Sequence, residues 1–103
     1  MLVLLSLLAF STFADEGEGN VLVLTDANYE DALKENPFIF IKFYAPWCGH
    51  CKRLAPDWEK AATALKERGS SVRIAKMDCT VETVTCGKNN VRGYPSLNWF
   101  ENG

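Results

Sequence analysis

Residues 38–52 read FIFIKFYAPWCGHCK, and the order of residue types in this stretch decides the fold. Phe38 to Ala45 is almost continuously apolar and aromatic, interrupted only by Lys42. Such a run suits a central strand covered on both faces. Pro46 breaks it, and Trp47-Cys48-Gly49-His50-Cys51 follows at once. Leu54, Trp58, Ala61, Ala62 and Leu65 then recur at helical spacing as far as Arg68. Pro56 removes one ladder bond and is expected to kink this helix, and Gly69 to end it. Two cysteines therefore lie where a buried strand turns into a long helix.

Working outward, Val21–Leu24 reads as a short strand. Thr25 or Asp26 can cap a helix from about Ala27 to Glu35, with Tyr29, Ala32 and Leu33 on one side and Pro37 beyond its end. Val72–Met77 reads as another strand, Val81–Lys88 as a short helix, and Ser96–Phe100 as a last strand. Asn102-Gly103 reads as the start of a tight turn. The order is βαβαβαβ, an α/β pattern that predicts a largely parallel sheet with helices on both faces. As written, the last strand would leave an unpaired edge. The sequence holds no internal repeat and no low-complexity tract.

Leu2–Phe10 (LVLLSLLAF) is too short to span a bilayer, which needs about 20 residues. It fits the apolar region of a secretory signal, with Thr12 and Ala14 as the small residues before cleavage, although no Lys or Arg precedes it. The reading is a signal peptide over 1–14, an acidic linker over 15–19 and one folded domain over 20–103. The 103 residues, 48% hydrophobic and 23% charged, allow one globular domain and argue against disorder. Beyond residue 19 there are 11 basic and 10 acidic residues, so no dense basic face offers itself to nucleic acid. A secreted chain meets an oxidising lumen, where cysteine pairs matter.

In a Cys-x-x-Cys pair, one thiol ionises and attacks a disulfide, and the second later displaces the product. Unsatisfied N–H groups and the helix dipole lower a thiol pKa at a helix N-terminus. Cys48, at or just before the first helical turn, is expected to be the exposed nucleophile. Cys51, inside that turn, is expected to be the buried resolving thiol. Gly49 and His50 complete the motif. His50 is either a cation that stabilises the Cys48 thiolate or a solvated turn residue. Trp47 is either an aromatic lid beside the dithiol or ordinary packing. A zinc site built from Cys48, Cys51, Cys79 and Cys86 competes poorly, because the second pair is spaced too widely and the first is not on a hairpin turn. The chemistry needs no metal and no cofactor.

The segment Ala45–Lys52 resembles the active-site segment of the protein disulfide isomerase branch of the thioredoxin superfamily. Leu54-Ala55-Pro56 is similar to its kinked helix, Ala75–Cys79 to its third strand, and Val91–Ser96 to the loop carrying its cis-proline. The resemblance covers about Asn20 to Gly103, and Cys79 with Cys86 narrows it toward endoplasmic-reticulum members with several such domains. It implies a thioredoxin fold whose final strand and helix are missing here. It implies that the backbone of Tyr94-Pro95 faces the dithiol and pairs with an extended substrate; an ordinary trans proline is the alternative. It implies residence in the endoplasmic reticulum lumen and thiol–disulfide exchange on unfolded or misfolded secretory proteins. A thiol oxidase or glutathione would restore the dithiol, and the partners include neither nucleic acid nor a membrane span. The rival readings are a reducing thioredoxin, a peptide-binding module without turnover, and an unstable truncated product. His50 speaks against the first, since reducing members resemble a Pro there.

Two further positions follow. Cys79 ends a strand and Cys86 lies in the next short helix, close enough for a structural disulfide, with two free thiols or a second redox couple as alternatives. The family places a buried acid six residues before its first active-site cysteine, and this chain has Lys42. Period-two alternation sets Phe38, Phe40 and Lys42 on one face and Ile39, Ile41 and Phe43 on the other. Lys42 is therefore expected to be buried near the dithiol, where it holds charge and stabilises a thiolate, stays neutral and accepts a proton, or snorkels to water.

Overall fold

The computed structural model describes residues 19–103. The expected signal segment 1–14 and all but the last residue of the expected linker lie outside the described residues. The elements follow in the order β1 (Leu22–Leu24), α1 (Tyr29–Glu35), β2 (Phe38–Tyr44), α2 (Gly49–Glu67), β3 (Val72–Asp78), α3 (Thr83–Lys88) and β4 (Ser96–Glu101). The four strands form one sheet in the order β1-β3-β2-β4. β1 and β2 both pair parallel to β3, while β4 runs antiparallel to β2. The expected βαβαβαβ order holds, and the short connection 89–95 between α3 and β4 turns the last strand against the rest.

β2 is central because every group on it is accounted for. Both of its edges are paired. Ile39, Ile41 and Phe43 are fully buried on one face, each contributing about 1.5–3 kcal/mol of apolar burial. They pack with Leu24, Tyr29, Ala32, Met77, Cys79 and Cys86, so α1 and α3 cover this face. On the other face α2 lays Trp58 and Ala62 against Val21, Ile74 and Phe40. The indole N–H of Trp58 is satisfied by donating to the Ala75 carbonyl at 2.8 Å. α2 is continuous through Pro56, which is exposed. Among the described residues no helix is long and apolar enough to cross a membrane.

The β4 side of the α2 face is thinly covered. Trp99 stacks on Phe38 at 6.2 Å and meets Phe40 edge-on, yet it and Leu97 remain exposed. The outer edge of β4 has no strand partner among the described residues.

The start of α1 departs from expectation. The helix begins at Tyr29, with Asn28 rather than Thr25 or Asp26 as its N-cap. Thr25 and Asn28 close the preceding turn reciprocally: the Thr25 amide donates to Asn28 Oδ1 and the Asn28 amide to Thr25 Oγ1. Asp26 instead caps α3. Its carboxylate accepts from the amides of Thr85 at 2.8 Å and Val84 at 3.4 Å, and its own amide donates to Glu82. α3 also begins two residues later than the sequence suggests, at Thr83. The Thr85 hydrogen bonds, foremost the side-chain one, hold the Asp26 carboxyl below its ordinary value. A depressed carboxylate stabilises fully above its unfolded pKa, and the effect is lost as pH falls through the folded value. Asp26→Asn is therefore expected to melt a few degrees below the parent chain at neutral pH, with the gap closing on acidification. Thermal unfolding followed by circular dichroism at both pH values checks this, and an undiminished gap in acid would contradict it.

Candidate active site

β2 ends at the sheet edge where its C-terminal end meets that of β3, the usual place for a site in an open α/β sheet. The Cys79 amide donates to the Tyr44 carbonyl at 2.9 Å and extends the ladder one step past the strand. Ala45 is fully buried, and the Cys48 amide closes a turn onto its carbonyl at 3.1 Å. This turn delivers Cys48 as the N-cap of α2, with extended backbone at φ −78° and ψ 124°. The Cys48 carbonyl accepts the first helical bond from Lys52. Its thiol points at the free N–H groups of the first turn.

The two thiols occupy unlike surroundings. Cys48 is half-buried, and Cys51 is buried with 3% of its surface exposed. The backbone N–H of Cys51, then its side chain, pull the Cys48 thiol below its ordinary pKa, helped by the His50 N–H and the charge of Arg53. Burial pushes the Cys51 thiol up, aided by Cys48, while the Ala45 amide and the charge of Lys42 work the other way.

His50 is exposed in the first turn of α2. Arg53 Nη2 donates to His50 Nδ1 at 2.7 Å. Arg53, whose guanidinium can only donate, is the side-chain cation that lowers the Cys48 thiol pKa. Sequence reading missed Arg53, although it stands three residues after His50 on the same helix face. Gly49 is exposed, and a Cβ there would meet only Arg53 Nη1 at 3.6 Å.

The second wall comes from the segment before β4. The Tyr94-Pro95 peptide is cis, and the Cys48 thiol donates to the Tyr94 carbonyl at 3.4 Å. Trp47, 68% exposed, stands edge-on to the Tyr94 ring at 5.8 Å. Cys79 and Cys86 are bonded to each other, with Cα atoms 5.7 Å apart. Through the Cys79 amide on Tyr44 and the Cys86 carbonyl accepting from Val91, this bridge touches both segments that reach Cys48. Lys42 is buried on the α2 side of the sheet, beside a cavity that Cys51 also lines.

This geometry coincides with a match of residues 20–103 to the thioredoxin family model, and the chain belongs to the thioredoxin family, with the fold of that name. Within it the chain is 50% identical over 84 residues to Protein disulfide-isomerase 1 of Caenorhabditis elegans, covering 82% of this chain and 17% of that protein. It is 47% identical over 104 residues to Protein disulfide-isomerase A3 of Gallus gallus, covering 100% of this chain and 19% of that one. The first thioredoxin domain of mouse Protein disulfide-isomerase A4 superposes with a TM-score of 0.76 at 38% identity, over 84% of this chain and 61% of that chain. The chain spans between 13% and 20% of the length of the curated relatives it matches.

Thiol environments so different should separate in reactivity. Brief exposure of the reduced chain to iodoacetamide at neutral pH is expected to label Cys48 and spare Cys51, each pKa unit between them giving about tenfold in thiolate. Arg53→Met should slow labelling of Cys48. Peptide mass spectrometry reads both, and equal labelling of the two thiols would contradict the assignment.

Proposed function

We propose that this domain carries out thiol–disulfide exchange on polypeptide clients, as a protein disulfide isomerase-type oxidoreductase of the endoplasmic reticulum lumen. The observation that carries the reading is the pairing of a half-buried Cys48 at a helix N-terminus, its thiol pKa lowered, with a buried Cys51 one turn along the helix. The likeness to disulfide isomerases supports the same chemistry.

In the reduced domain the Cys48 thiolate attacks a client disulfide. A Cys48–client bond forms, and the other client sulfur leaves as a thiolate. Cys51, once deprotonated, attacks Cys48, forms the Cys48–Cys51 disulfide and expels the client thiol. In the oxidising direction a client thiolate opens the Cys48–Cys51 bond, and a second client thiolate displaces Cys48. A thiol oxidase or oxidised glutathione then restores the disulfide. No metal or cofactor takes part.

The exposed Trp47 and the Tyr94 ring form the apolar wall of the client groove. The Tyr94-Pro95 backbone offers its carbonyl to the amide of an extended client segment, strand against strand. Such recognition reads backbone rather than sequence, which suits clients that share only an unfolded state. Cys79–Cys86 serves as a structural bridge, since both residues are buried away from clients.

Cys51→Ser removes the releasing thiol and is expected to accumulate mixed disulfides with scrambled, disulfide-bearing secretory proteins. Cys48→Ser is expected to form none. Non-reducing electrophoresis of the trapped species decides, and equal trapping by both variants would sink the assignment of roles.

A further inference from the structure

Lys42 stands on the most enclosed strand of the molecule with 3% of its surface exposed. A snorkelling lysine keeps its ammonium in water, so this burial removes that reading. Its Nζ lies 5.5 Å from the centroid of the Tyr44 ring and 5.8 Å from that of Trp58. Aromatic faces attract an ammonium. Across the parallel ladder Lys42 pairs in register with Lys76, whose Nζ lies 5.7 Å from the same Tyr44 ring. Both lysines open on a cavity of 120 Å³ that Cys51 also lines. Two strands, one aromatic ring and one cavity thus bring two cations to the buried side of the resolving thiol.

We propose that Lys42 and Lys76 form a paired-ammonium platform that stabilises the Cys51 thiolate and so sets how fast a client held on Cys48 is released. The proposal rests on the exchange chemistry given above. In the release step the Cys51 thiol gives its proton to water, and its sulfur attacks Cys48. The Cys48–Cys51 bond forms as the Cys48–client bond breaks, and the client thiolate takes up a proton from solvent. Charge appears on Cys51 before the new bond forms, so a cation beside it lowers the cost of that step. The titratable groups that line this cavity with Cys51 are Lys42 and Tyr44 from β2, Lys76 from β3 and Lys52 from its own helix turn, and Cys48 and Lys42 act on its thiol directly. Burial and Cys48 oppose the thiolate, and Lys42 favours it. The lysines act as fixed charges and carry no proton to or from sulfur.

Stopped-flow mixing of the reduced full chain with Ellman's reagent separates the steps. Thionitrobenzoate leaves once when Cys48 attacks the reagent and again when Cys51 resolves the mixed disulfide. Lys42→Met is expected to slow the second release about tenfold at neutral pH and to move its pH midpoint up by about one unit. Lys76→Met should act in the same direction with a smaller effect. Lys42→Arg, which keeps the charge but does not surrender a proton, should retain the parent's pH profile. Unchanged second-phase rates and midpoints in the Met variants would overturn the proposal. So would a Lys42→Arg variant as slow as Lys42→Met, since that marks a proton carrier. Should Lys42→Met not fold, Lys76→Met and Lys42→Arg decide. Absence of the first release in the parent chain would instead refute the exchange reading itself.

Discussion

The seven-residue parallel pairing of β2 with β3 is the constraint on which the rest of the structure depends. With β4 on its other edge and helices on both faces, β2 has no freedom to slide. A slip of one residue would bring Lys42 into the place of Ile41 or Phe43 and expose the apolar set on the wrong face. Because the strand cannot move, its exit point cannot move either. Tyr44 is tied to Cys79, Ala45 is sealed in the core, and the chain must turn where Pro46 lets it. Past the exposed Pro46 and Trp47, the residue that opens the helix is Cys48. The position of the reactive thiol is thus a result of strand packing.

Two chemically identical thiols become different because they stand on opposite sides of one helical turn. The outer one looks along the helix axis at unsatisfied N–H groups, which act as a fixed positive end. The inner one is pressed against the sheet and loses its water. No charged side chain is needed to create the difference, although Arg53 and Lys42 adjust each end of it. The basic residues near the site therefore act on an asymmetry that the backbone already supplies.

Much of this was legible in the sequence, for reasons that differ by element. β2 and α2 announce themselves because FIFIKFYA and the Leu54–Leu65 pattern are long, and their burial follows from periodicity alone. The burial of Lys42 was readable from the same alternation. The expected α1 start was wrong because Thr25 and Asn28 bond to each other, leaving the first helical position to Tyr29. The true partner of Asp26 lies on α3, far along the chain, and no local signal announces a cap supplied from elsewhere. Lys76 reached the site through strand register, which depends on how two strands align. Arg53 gave no signal of its own, because an arginine on an exposed helix face reads as an ordinary solvated charge.

The three tryptophans stand in unlike optical settings. Trp47 lies in water beside the dithiol, Trp58 is enclosed between α2 and the sheet, and Trp99 lies half-open on the aromatic row of Phe38 and Phe40. Sulfur quenches indole emission at short range, and a disulfide does so more strongly than a thiol. Trp47 is thus a natural fluorescent gauge of the redox state of Cys48 and Cys51. Trp58 reports instead on the integrity of the core, and Trp99 on whatever comes to rest against the open side of β4. The molecule carries its own dyes for following oxidation, unfolding and contact at the sheet margin.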